Sequence, residues 1–167
     1  MMGMTERNTE AAFHWITTIL ERHAIEYRIC GGFAARAYGV TRELADIDFE
    51  IDKQDISKIT QDVMPYIIFG PGRYQDESWD LELMTLQYEG QMIDIAGTGA
   101  KLFNQKTKQW EVCPGSLKAV EMKEVFGKLV PIEEIHSLIN YKTKVGREVD
   151  VEDVKQLTAI INSKTKS

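Results

Sequence analysis

Cysteine is nearly absent from this sequence: only Cys30 and Cys113 occur in 167 residues, and neither lies in a CxxC or Cys/His pattern. A disulfide scaffold and a cysteine-based zinc site are therefore excluded as organising elements, and both thiols are expected to stay reduced. Positive charge is also in short supply, with 20 lysines and arginines against 26 aspartates and glutamates and a formal net charge of −6. Binding along a phosphate backbone draws its affinity from basic side chains that displace counterions, so no extended nucleic-acid binding is expected. A small anion such as a nucleotide needs only a few local donors and is not excluded. No window approaches the roughly 18 consecutive apolar residues of a membrane span. The N-terminal MMGMTERNTEAAF has no apolar core and no cleavage site for export, so a cytoplasmic location without membrane contact is expected. No repeat, low-complexity tract or linker interrupts the chain. Residues 1–167 read as a single domain, with 1–7 disordered.

What is present is periodicity. Ala12, Trp15, Ile16, Ile19 and Leu20 have the spacing of an amphipathic helix, with Asn8 or Thr9 as its cap. IEYRIC reads as a strand that ends at Gly31-Gly32, and FAARAYG as a short helix stopped by Gly39. In ADIDFEID, Asp46, Asp48 and Glu50 alternate with Ile47, Phe49 and Ile51, the period of a strand with one buried face. KQDISKITQDVMPY predicts a helix ending at Pro65. After a Gly-Pro-Gly loop region, WDLELMTLQYEGQMIDIAG predicts two strands joined at Glu89-Gly90, which brings Asp94 into the sheet. A second hairpin is expected around Phe126-Gly127, and residues 131–164 read as a C-terminal helical pair broken at Gly146 and Arg147. The expected fold is α+β, a small mixed β-sheet with helices packed against it.

Residues two apart on a strand point to the same face, so Asp46 and Asp48 converge on one volume, with Asp94 a third carboxylate on a neighbouring strand. Such groups repel unless a cation or a proton offsets them, and a divalent metal is the simplest solution. Mg²⁺ takes a few carboxylate oxygens together with water and substrate phosphate. Glycines without a Cβ let backbone N–H groups approach a phosphate at a helix start, the place of Gly31 and Gly32. His14, His23 and His136 are scattered and have no ligand spacing. Glu82 is a reserve candidate near the site, and Tyr74 and Trp79 are candidates to line a ligand pocket.

Gly-Gly, a spacer of thirteen residues, Asp-Ile-Asp and a later Ile-Asp-Ile resemble the pattern of the nucleotidyltransferase superfamily typified by DNA polymerase beta. Short length, Arg42 and Glu43 ahead of the Asp-x-Asp, and the glutamate-rich hairpin before the third aspartate are most similar to the small lincosamide- and aminoglycoside-type enzymes. INYKTKVGREVDVEDVKQL resembles the C-terminal segment of minimal nucleotidyltransferases and of the toxin-type branch. The resemblance implies transfer of NMP from an NTP to a hydroxyl of a small-molecule, antibiotic-like acceptor, with two Mg²⁺ ions as cofactors. It implies Asp46, Asp48 and Asp94 as catalytic metal ligands, Asp94 sharing the second ion or acting as base. Gly31, Gly32, Arg42 and Lys142 would bind the nucleotide. A homodimer is left open. Two alternatives accompany this reading: a toxin-type enzyme acting on tRNA or protein, and a catalytically silent binding module of the same fold.

Overall fold

A computed structural model describes residues 7–113 and 116–165. Pro114, Gly115 and the first six of the residues expected to be disordered lie outside the described residues. The Arg7 guanidinium donates to the Leu44 carbonyl and pairs with Glu43 at 3.3 Å.

The described residues form five α-helices and one nine-stranded sheet, with strand order β7 (Gln109–Val112), β6 (Lys101–Asn104), β4 (Trp79–Tyr88), β5 (Gln91–Gly97), β2 (Asp46–Ile51), β1 (Tyr27–Cys30), β9 (Lys128–Glu133) and β8 (Val120–Val125), and β3 (Ile67–Gln75) lying along β4. The centre of the sheet is β1 (Tyr27–Cys30), β2 (Asp46–Ile51) and β5 (Gln91–Gly97). β2 runs parallel to β5, and β1 runs parallel to β9 (Lys128–Glu133), while the other pairs are antiparallel. The sheet is therefore mixed, as the sequence predicts.

Alternation divides the central strands into two faces. Ile29, Ile47, Phe49, Met84, Ile93 and Ile95 are all fully buried on one of them. That face packs against α1 (Thr9–Arg22) and α3 (Ile56–Val63), with Phe33 of α2 (Gly31–Tyr38) meeting Phe13 and Phe49 edge to face. Asn8 caps α1 by accepting a hydrogen bond from the Ala11 N–H at 3.0 Å. The opposite face carries Arg28, Cys30, Asp46, Asp48, Glu50, Thr85 and Asp94, and this polar face is where the site lies.

Both expected hairpins form, and each turn places two consecutive residues at positive φ, Glu89-Gly90 and Phe126-Gly127. That geometry matches the right-handed twist of the strands it joins. β8 (Val120–Val125) and β9 form the second hairpin. The expected Gly-Pro-Gly loop is instead part of β3, which pairs with β4 through two register shifts. Such an irregular strand tolerates a proline because it has a partner on one side only. Two short strands, β6 (Lys101–Asn104) and β7 (Gln109–Val112), were not anticipated. The C-terminal helices are α4 (Ile135–Val145) and α5 (Glu148–Thr165), and α4 starts after Pro131 to Glu133 have completed β9. Glu134 caps α4 through the His136 and Ser137 N–H groups, and Gly146 ends it at φ 65°. No helix among the described residues is long and apolar enough to cross a membrane.

Candidate active site

Parallel pairing of β2 with β5 sets Asp48 level with Asp94, and Asp46 lies two residues away on the same face. One carboxylate oxygen from each of the three lies within 4.8 Å of the other two. All three residues remain partly accessible, and among the described residues none is ion-paired to a lysine, arginine or histidine. Desolvation, then Asp94 and Asp46, push the Asp48 carboxyl up to about 7, against the weaker pull of Lys142 and Arg147. Burial and the facing Asp46 also raise Asp94, opposed by a hydrogen bond from Thr85.

The glycine pair explains its own place. Gly31 opens α2 at φ +61°, and a Cβ there would stand 2.6 Å from Asp48 Oδ2. Only glycine lets the helix start lie directly against the carboxylate. A Cβ on Gly32 would stand 2.7 Å from an Arg42 guanidinium nitrogen, so Arg42 packs over the same helix start.

Arg42 is held from behind by a two-pronged bond to Asp153 of α5, at 2.8 and 2.9 Å. Lys142 of α4 pairs with Asp153 at 2.9 Å and Asp150 at 3.4 Å, and Arg147 donates to Asp150 at 2.7 Å. Three cations thus enclose two fully buried aspartates beside the carboxylate cluster. Lys142 was expected to contact phosphate directly. Lys142 is 1% exposed, and its ammonium lies between the Asp150 and Asp153 carboxylates. Arg147 also covers the Trp79 ring at 4.5 Å, and the Trp79 indole N–H donates to the Tyr141 hydroxyl at 2.7 Å.

Glu82, held in reserve, falls on the face opposite the aspartates, where its Cβ lies 3.3 Å from the position of a Cβ on Gly97. Trp79 shares the face of Asp94, and so does Tyr74, which donates to Asp76 at 2.8 Å. His14, His23 and His136 take no part in the cluster. Cys30 and Cys113 are free thiols, and burial pushes Cys113 up to about 12. Sequence reasoning missed Thr85, whose hydroxyl donates to Asp94 Oδ1 at 2.7 Å. Its signal was present: with the turn placed at Glu89-Gly90, counting three pairs outward from Tyr88 and Gln91 sets Thr85 opposite Asp94.

The cluster fits a divalent metal by the chemistry of its donors. Three hard oxygen ligands converge at accessible positions, and burial plus mutual repulsion disfavour all three charges unless a cation joins them.

Neither a family model nor a curated protein matches the sequence. Solved structures do. A candidate nucleotidyltransferase from Thermotoga maritima superposes with TM-score 0.66 at 19% identity, over 93% of this chain and 95% of its own. The lincosamide antibiotic adenylyltransferase LnuA, lincomycin-bound, gives TM-score 0.62 at 20% identity, over 93% of this chain and 99% of its own. ANT(2")-Ia in complex with adenylyl-2"-tobramycin gives 0.60 at 15% identity, over 93% and 91%. Identities this low speak for architecture alone, and in architecture the chain has the nucleotidyltransferase fold.

Proposed function

We propose that the chain is a metal-dependent nucleotidyltransferase that moves NMP from an NTP to a hydroxyl of a small-molecule acceptor. The observation that carries the reading is the convergence of Asp46, Asp48 and Asp94 against the glycine start of α2, within this fold. Asp46, Asp48 and Asp94 would hold Mg²⁺. When bound, the metal supplies positive charge to the phosphates and to the leaving oxygen. Gly31 and Gly32 offer backbone N–H groups at the helix start to the triphosphate. Arg42, fixed by Asp153, adds a guanidinium over the same place. Asp94 takes the acceptor proton or completes the metal shell.

In the reaction, the acceptor oxygen attacks the α-phosphorus in line, the bond to the bridging oxygen of pyrophosphate breaks, and the hydroxyl proton leaves to a carboxylate or to water. The two antibiotic-enzyme structures hold lincomycin and adenylyl-2"-tobramycin. A hydroxyl-rich, antibiotic-like molecule is thus the first acceptor class to try. Dependence on NTP assigns the work of this single domain to the cytoplasm.

The test has two stages. Thermal unfolding with each NTP, with and without Mg²⁺, reads nucleotide binding; a ligand at 100 times its Kd stabilises by about 2.7 kcal/mol. Pyrophosphate release and the mass of the product then read transfer across lincosamides and aminoglycosides. Stabilisation that requires Mg²⁺, followed by a product heavier by one NMP, is the expected result. Absence of nucleotide binding sinks the proposal, and binding without transfer to any hydroxyl acceptor, tRNA or protein leaves the silent-module alternative.

A further inference from the structure

The ladder flanks Asp94 with two different neighbours at the same level, Asp48 on β2 and Thr85 on β4. The first repels it and the second binds it. Thr85 Oγ1 donates to Asp94 Oδ1 at 2.7 Å, an ordinary length for a well-formed hydroxyl hydrogen bond. Thr85 also has little freedom to do anything else. Met84 and Leu86, its chain neighbours, are fully buried on the other face, so the pleat cannot turn the hydroxyl away without exposing them. Branching at Cβ restricts χ1 further.

A threonine on a half-covered strand face is commonly just a good strand former. What separates Thr85 from that role is its aim at one oxygen of a carboxylate that already faces two others. We infer that Thr85 is a positioning residue for Asp94: its hydroxyl occupies Oδ1, fixes the plane of the carboxylate and leaves the second oxygen turned toward Asp46 and Asp48 for a divalent cation. The inference rests on the metal-site reading above. It adds that the ligand set is held open from β4, by a side chain that touches neither metal nor nucleotide.

Mn²⁺ alone, titrated into the nucleotide-free full chain by calorimetry, is the probe. Thr85→Val keeps the branched shape and removes the hydroxyl, and it should weaken Mn²⁺ binding by about 10–100-fold, the range for partners that orient metal ligands. Thr85→Ser keeps the hydroxyl and should stay within a few-fold of wild type, whereas Thr85→Ala should resemble Thr85→Val. In an Asp94→Asn background the step from Thr85 to Val should have no further effect, because the bond it removes no longer orients a ligand. Affinities that follow side-chain bulk, with Val like wild type and Ser like Ala, overturn the inference. So does an undiminished effect of Thr85→Val in the Asp94→Asn background. Failure of the wild type itself to bind Mn²⁺ is a different outcome, and removes the metal-site reading on which the inference stands.

Discussion

Asp150 and Asp153 on α5 and Asp46 and Asp48 on β2 are the same side chain under opposite conditions. The helix pair is fully buried, yet an arginine or lysine meets each of its carboxylates. Burial alone would raise Asp153, but hydrogen bonds from Arg42 and Lys142 outweigh it and hold the carboxyl low. The strand pair is more accessible, yet its nearest charged partner is another aspartate, and Asp48 is pushed up to about 7. Degree of burial therefore does not set the electrostatic state of these carboxylates; the identity of their neighbours does. A closed set of opposite charges is finished, whereas a set of like charges open to solvent is incomplete without a ligand.

The largest effect should come from making a member of the incomplete set neutral. Asp48→Asn is expected to lower nucleotidyl transfer about a thousandfold, since the metal's charge stabilisation is worth several kcal/mol. In the chelated, metal-free protein the same substitution should stabilise. The folded Asp48 carboxyl sits near 7 against an ordinary 3.8, so its contribution is fully present below 3.8 and lost as pH rises through about 7. Asparagine cannot ionise, so urea midpoints measured with chelator at pH 5 and pH 8 should differ less in the variant. Asp153 has the reverse sign: its folded value is lowered, so its contribution is present above the ordinary value and lost as pH falls. If Asp48→Asn destabilises the metal-free protein at pH 8, the comparison drawn above is broken.

Next in size is the removal of a cation from the finished set. Lys142 is 1% exposed between carboxylates that are 0% exposed. Lys142→Met keeps much of the length and leaves the aspartates short of a partner, which should cost about 3–5 kcal/mol. Urea unfolding at pH 7 measures it. A cost below about 1 kcal/mol would show that Arg42 and Arg147 suffice, and that Lys142 is free to serve the nucleotide after all.

These two sets were unequally legible. The alternation of Asp46 and Asp48 with Ile47 and Phe49 is local, and the turn at Glu89-Gly90 fixes Asp94 in a strand, so the open set could be read from spacing. The parallel pairing that sets Asp48 level with Asp94 joins residues 46 positions apart, and no local pattern encodes it. The closed set was harder still. Asp150 and Asp153 look like ordinary acids in the first turns of a helix, where they suit the helix dipole, and Lys142 looks like one charge in a lysine-rich stretch. Their burial follows from how α4, α5 and the loop bearing Arg42 pack together. β3 was misread for a different reason, because glycine and proline punctuate loops far more often than they occupy an irregular edge. Four-residue β6 and β7 are too short for their alternation to register.

A smaller effect is expected where the open set meets the backbone. Gly31→Ala should cost about 1–2 kcal/mol from the positive φ alone, and its methyl must also displace the Asp48 carboxylate lying 2.6 Å away. Metal affinity should fall along with the urea midpoint. Gly39→Ala is the control: it is also at positive φ, 119°, but its Cβ would meet only the end of Ile160 at 3.5 Å. It should lower stability and leave Mn²⁺ binding unchanged.

The smallest difference isolates burial from geometry. Arg73 grips Asp80 at 2.8 and 2.8 Å, in the same two-pronged way that Arg42 grips Asp153 at 2.8 and 2.9 Å. Side-chain exposure separates them, 64% and 18% for the first pair against 28% and 0% for the second. Lysine keeps the charge but cannot reproduce the fork. Water replaces the lost bond at the exposed pair, so Arg73→Lys should leave the urea midpoint where it was. At Asp153 the abandoned oxygen stays buried, so Arg42→Lys should cost about 1 kcal/mol. Equal responses in the two pairs would mean that Asp153 finds another donor when Arg42 lets go. The closed set would then be held by Lys142, and Arg42 would be free to follow the nucleotide.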